Sequence, residues 1–232
     1  FLPKLPGYRF ARKRGVSPFK PDNIARLLNF RPMRDIEIIA VIGAGTMGRG
    51  IAQTAATAGC RVVLVDADTG ALYRGIALIR DVLAMLAEKG KLAAIERDAA
   101  LVRLTTAGTL AEGVKGADLV IEAIPESLEL KTRVFSELDQ HAPPHAILAS
   151  NTSSLSIAKI AAATDRPGQV VGMHFFNPVP VMPLLEIVRA RRTSDATIAA
   201  AVSFAGRLGK DPIIVRDSPG FATSRLGVLF GL

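Results

Sequence analysis

Within the apolar segment VVGMHFFNPVPVMPLLEIV (170–188) stand one histidine, His174, one asparagine, Asn177, and one glutamate, Glu186. A segment so rich in Val, Phe, Met, Leu and Ile belongs in a core. There an unpartnered polar group costs roughly 2–7 kcal/mol, so these side chains must pair or work. Pro178, Pro180 and Pro183 exclude one continuous helix. Two short buried strands joined by a Pro-rich turn are expected instead. Such a turn folds the carboxylate back onto the imidazole. A paired carboxylate fixes the histidine tautomer and stabilises the imidazolium formed when the ring accepts a proton, which makes a general base.

A second chemistry lies nearer the N-terminus, in Gly43-x-Gly45-x-x-Gly48 with Thr46 and Met47 between the last two glycines. Gly43 permits a tight turn, Gly45 lets the backbone approach a pyrophosphate, and Gly48 lets a helix pack closely on a strand. The free N–H groups of that helix attract the anion. Asp66 ends the apolar run RVVLVD. A carboxylate at that place accepts hydrogen bonds from the ribose hydroxyls of NAD and repels the 2′-phosphate of NADP.

These groups need a scaffold that brings them to one edge. IEIIAVIG (36–43), RVVLVD (61–66), LVIEAI (119–124) and AILASN (146–151) read as short buried parallel strands. IAQTAATAG closes on Gly59 as a helix, and residues 70–101 read as a long and a shorter helix broken near Gly90. ESLELKTRVFSELDQHA reads as an amphipathic helix with Leu128, Val134, Phe135 and Leu138 inward. The alternation predicts an α/β, Rossmann-like, mostly parallel sheet with helices on both faces. Ligands on such sheets sit beyond the C-terminal strand ends, where Glu122, Pro125, Glu126, Ser150, Asn151, Thr152 and Ser153 fall. In SNTSSLSI, Ser153 or Ser154 either caps a helix or contacts a ligand; both readings stand.

The net charge of +8 is local. Residues 1–35 hold nine basic side chains against Asp22 and Asp35. This basic, Pro-containing leader is expected to be poorly ordered, and no nucleic-acid partner is expected. No apolar run has the uninterrupted length of a membrane helix, so no membrane partner is expected. A single cysteine, Cys60, excludes an internal disulfide and fits a cytoplasmic setting. No metal site is expected.

Taken in order, VIGAGTMGRGIAQ, ADLVIEAIPESLELK, ASNTSSLSI, GMHFFNPVPVMPLLEIV and DSPGF resemble the L-3-hydroxyacyl-CoA dehydrogenase family, including its 3-hydroxybutyryl-CoA members. The likeness runs from about Ile38 to the end of the chain. It implies oxidation of an (S)-3-hydroxyacyl-CoA with hydride transfer to NAD. His174 would take the proton, Glu186 would hold His174, and Ser153 would bond the substrate oxygen. Asp66, Glu126, Lys131, Ser153 and Asn177 would contact the cofactor. Ser224 stands where many members carry an asparagine that assists the substrate carbonyl, and altered positioning is expected there. The implied organisation is a leader (1–35), a Rossmann-type NAD-binding domain (36–217) and the truncated start of an all-helical C-terminal domain (218–232). Phe221, Leu226, Val228, Leu229 and Phe230 would present an apolar face there, and the missing domain would supply a homodimer contact. The alternatives are a CoA-independent hydroxyacid dehydrogenase and a non-catalytic NAD-binding protein.

Overall fold

The β-branched run IIAVI forms β1 (Ile38–Ile42), and its alternation sets the two layers of the molecule. Ile39 and Val41 point into one core, while Ala40 and Ile42 point into the other. A strand buried on both faces reads as a continuous apolar run, as this one does. Each fully buried aliphatic side chain of this kind contributes about 1.5–3 kcal/mol. The computed structural model describes residues 35–223 and Arg225. The expected leader, apart from Asp35, lies outside the described residues. So do Ser224, Leu226, Val228, Leu229 and Phe230.

Eight strands form one sheet in the order β3-β2-β1-β4-β5-β6-β7-β8. They are β1, β2 (Arg61–Val65), β3 (Leu104–Ala107), β4 (Leu119–Glu122), β5 (Ile147–Ser150), β6 (Val170–Phe175), β7 (Leu184–Arg189) and β8 (Asp211–Arg216). The first six run parallel. β7 turns back antiparallel to β6, and β8 runs parallel to β7. Strand order reverses between β1 and β4, which opens a crevice at their C-terminal ends.

The helices are α1 (Thr46–Thr57), α2 (Thr69–Glu88), α3 (Ala94–Val102), α4 (Leu110–Val114), α5 (Leu128–His141), α6 (Ile157–Ala161) and α7 (Asp195–Arg207). The break expected near Gly90 separates α2 from α3, with Gly90 at φ +65°. Ser127 caps α5, accepting from Leu130 N at 3.3 Å. Its buried stripe is Lys131, Phe135 and Leu138; Leu128 and Val134 are only half-buried. A lysine thus occupies a core position.

Of the two readings left open for Ser153 and Ser154, the helix cap belongs to neither: Ser156 caps α6, accepting from Lys159 N. Asp217 adds its carboxylate, accepting from Ala158 N at 2.7 Å and Ile157 N at 3.1 Å. One expectation fails: Phe221 is not on an exposed apolar face. It is 2% exposed, packs with Val188 and Ala190 in the core, and adopts φ +46°. Among the described residues, Ile213 and Ile214 of β8 are exposed.

Candidate active site

The register of the β6–β7 hairpin places His174 directly opposite Glu186. Opposed residues share one face of a sheet, so the two side chains meet. His174 Nδ1 lies 2.7 Å from Glu186 Oε2, with the glutamate fully buried and the histidine 8% exposed. The carboxylate is held from its other side as well. Oε1 accepts from Thr223 N at 2.9 Å and Ala222 N at 3.2 Å, and Oε2 also accepts from Thr223 Oγ1 at 3.1 Å. With Nδ1–H donating to Glu186, the lone pair of the neutral ring sits on Nε2. The rings of Phe176 and Phe221 lie 4.4 and 6.0 Å from the imidazole, centroid to centroid. Asn151 Oδ1 accepts from Phe175 N at 2.9 Å, tying the exit of β5 to the end of β6.

Asn177 is exposed at the start of the loop between these strands. Lys210 holds that loop from below. Its buried ammonium donates to the carbonyls of Val179 and Met182. Burial, which disfavours the charged form, pushes its pKa down.

At the other end of the edge, the glycine loop leaves β1 and enters α1. Gly43 has φ +106°, a backbone that other residues rarely adopt. Gly45 is the N-cap of α1 with no side-chain cap, so the first N–H groups of the helix face outward. A Cβ on Gly45 would meet nothing within 4 Å, whereas one on Gly48 would lie 1.8 Å from the Gly43 carbonyl oxygen. The loop is therefore open above Gly45 and closed beneath Gly48. Asp66, half-buried, accepts from Ala44 N at 2.7 Å and Asp68 N at 2.9 Å. A cleft of about 910 Å³ is lined here by Gly43, Gly45, Thr46, Met47, Asp66 and Pro125, among others. An uncapped helix start, open space over one glycine and a carboxylate at the end of β2 suit a dinucleotide.

A third group lies between these two. Lys131 and Glu122 are both fully buried, with Nζ 2.6 Å from Oε1. Ser150 donates to the other Glu122 oxygen at 2.6 Å. Glu126, above them, accepts at Oε1 from Thr152 Oγ1, from Ser153 N at 3.1 Å and from Ser153 Oγ at 3.4 Å. Partial burial works to raise the Glu126 pKa. The Thr152 hydrogen bond, the Lys131 charge and the Ser153 amide outweigh it and hold the carboxyl below its ordinary value.

Comparison with known proteins decides what this edge belongs to. Residues 38–218 match the family described as 3-hydroxyacyl-CoA dehydrogenase, NAD binding domain. The chain belongs to that family. It is 47% identical over 192 residues to a probable 3-hydroxybutyryl-CoA dehydrogenase of Bacillus subtilis, covering 83% of this chain and 67% of the relative. It is 44% identical over 196 residues to the mitochondrial hydroxyacyl-coenzyme A dehydrogenase of Rattus norvegicus, covering 82% of this chain and 62% of that protein. The crystal structure of (S)-3-hydroxybutyryl-CoA dehydrogenase from Ralstonia eutropha superposes with a TM-score of 0.80 at 43% identity, over 83% of this chain and 68% of that one. The chain thus spans about two thirds of the length of these relatives.

As a 3-hydroxyacyl-CoA dehydrogenase NAD-binding domain, the molecule takes NAD, and the sequence-predicted residues can be placed against that role. Gly43, Gly45, Thr46, Met47 and Asp66 line the cleft. Gly48 lies buried beneath it. His174 and Glu186 form one pair, and Ser153 joins Glu126. Lys131 is buried away from solvent and reaches the edge through Glu126, at 3.5 Å. Its partner Glu122 was visible in the sequence only as a strand-end acid. The readable signal was a lysine on the apolar stripe of α5, which demands a buried anion. Among the described residues no cluster of three or more His, Cys, Asp or Glu side chains could hold a metal ion, and no helix is long and apolar enough to cross a membrane.

NADH should bind more tightly than NADPH, because a carboxylate at the end of β2, lining the cleft, would repel a 2′-phosphate. Asp66→Ala should weaken NADH binding by about 1–3 kcal/mol, the cost of leaving ribose hydroxyls unpartnered. Fluorescence titration with NADH and NADPH checks this. Equal affinity of the parent protein for both would remove Asp66 as the selecting group.

Proposed function

We propose that the protein of this chain oxidises an (S)-3-hydroxyacyl-CoA reversibly to the 3-oxoacyl-CoA. The observation that carries the reading is the His174–Glu186 pair, set in register across β6 and β7 at the edge that carries the glycine loop. The reaction removes a proton from the 3-hydroxyl and a hydride from carbon 3. NAD, when bound, supplies the acceptor for the hydride. The chain's own residues handle the proton and the geometry. His174 Nε2 takes the hydroxyl proton as general base. Glu186 keeps Nδ1–H facing itself and stabilises the imidazolium that results. The Ser153 hydroxyl donates to the substrate oxygen, and Asn177, Glu126 and Asp66 fix the cofactor. In the reverse direction His174 returns the proton.

What supports the CoA ester as substrate is the family and the names of the relatives. The reading also takes the protein as a cytoplasmic homodimer, supported by the single buried cysteine and by the family resemblance respectively.

The deciding measurement is NADH oxidation in the presence of acetoacetyl-CoA, set beside free acetoacetate. Turnover of the CoA ester alone is expected. Turnover of the free acid alone would make this a CoA-independent hydroxyacid dehydrogenase. Tight NADH binding with turnover of neither compound would leave a non-catalytic NAD-binding protein.

A further inference from the structure

A lysine with no solvent exposure must spend its three N–H bonds on protein acceptors. Lys131 does so: Glu122 Oε1 lies at 2.6 Å, the Ile124 carbonyl at 3.3 Å and Glu126 Oε2 at 3.5 Å. Glu122 is itself fixed from several sides. It sits across from Ser150 in the β4–β5 register, accepts from the Ser150 hydroxyl, and accepts from Ile124 N at 2.7 Å. The two charges cancel in a region closed to water, and the first carboxylate beyond them is Glu126. That carboxylate turns one oxygen to Lys131 and the other to Thr152 and Ser153.

We propose that Glu122 is a positioning residue of the active site: with Lys131 it sets the carboxylate of Glu126, which in turn holds the Ser153 segment at the edge of the sheet. The proposal rests on the reading of Ser153 as a substrate-contacting group. Its physical content lies in the charge. While Glu122 neutralises Lys131, Glu126 is drawn inward only weakly, at 3.5 Å, and its other oxygen stays with Thr152 and Ser153. Without the Glu122 charge, the buried ammonium pulls Glu126 toward itself and away from the segment. A residue that served only to fill the core would act on the whole sheet evenly. Glu122 acts along one route.

Glu122→Gln keeps the size of the side chain and can still bond Ser150 and Ile124 N, but removes the charge. In the ligand-free protein, amide exchange of a peptide spanning residues 151–156 should accelerate about tenfold or more, while the peptide containing β1 stays protected. Turnover should fall about tenfold to a hundredfold, the loss typical of a misplaced reacting group. NADH should still titrate, which shows that the cleft is folded. If the stranded lysine lowers the melting temperature, Glu122→Gln with Lys131→Met removes the uncompensated charge. This second protein should melt near the parent and, with no ammonium left to draw Glu126 inward, return the 151–156 exchange toward the parental rate. Unchanged exchange at 151–156 in Glu122→Gln overturns the proposal, as does exchange that rises evenly through the sheet or that stays fast in the double variant. A parent protein without turnover would defeat the dehydrogenase reading alone, because the exchange measurement decides the network independently.

Discussion

His174→Ala is expected to lower turnover by about a hundredfold or more, with NADH binding little changed, because general-base catalysis typically contributes 10²–10⁴-fold. The hydroxyl proton must leave as the hydride leaves, and the structure gives Nε2 of His174 the lone pair for it. Glu186→Gln should come close to the same loss for a geometric reason. The carboxylate accepts on both sides: from His174 and Thr223 Oγ1 at Oε2, and from the Ala222 and Thr223 amides at Oε1. An amide has one oxygen. Turned toward the backbone donors, it presents its NH₂ to Nδ1, forces the proton onto Nε2 and removes the base. Turned toward the histidine, it sets its NH₂ against two N–H groups. Either way the pair is spoiled, and the double variant should be little worse than the worse single one. Steady-state kinetics of the three variants with acetoacetyl-CoA and NADH test this. Near-parental turnover in either single variant would remove that residue from its role.

Gly48→Ala should abolish NADH binding and destabilise the fold by about 3 kcal/mol or more, the upper range for overpacking. Its Cβ would lie 1.8 Å from the Gly43 carbonyl oxygen and 2.9 Å from the carbonyl carbon. Both are backbone atoms of a turn already fixed by Gly43 N donating to Val65 O at 2.7 Å. Nothing flexible can move aside, so α1 must tilt off β1. Gly45→Ala is the control. Its φ of −67° suits alanine and its Cβ meets nothing. Stability should hold while NADH affinity falls, because the methyl occupies the approach to the helix start. Thermal melts and NADH titrations of the two variants separate packing from access. A Gly48→Ala protein that melts and binds like the parent would show that the loop is plastic.

Features set by neighbouring residues were readable in the sequence. The strand–glycine loop–helix unit, Asp66 and the paired imidazole and carboxylate each follow from local apolar runs and turn residues. What escaped depends on distant contacts. LTTA (β3) is too short and too exposed to show a pattern, and DPIIVR (β8) carries its isoleucines half in solvent, so neither reads as a strand. The choice between cap and ligand contact for Ser153 stayed open because Thr152 and Ser153 are engaged by Glu126, a residue of the loop after β4. The Glu122–Lys131 pair needed the β4–β5 register and the rotation of α5 together, neither of which a single stretch of residues specifies.

The backbone just beyond β8 carries strain. Phe221 sits at φ +46°, where a non-glycine residue costs of order 1–3 kcal/mol. The same turn buries the Phe221 ring and hands the Ala222 and Thr223 amides to Glu186. The turn and the catalytic pair therefore share one free energy, and linkage makes the debt reciprocal. Whatever steadies residues 221–223 steadies the carboxylate behind the imidazole, and whatever fixes that carboxylate steadies the turn. The orientation of the imidazole is in effect a reporter on the conformation of a turn that lies beyond β8.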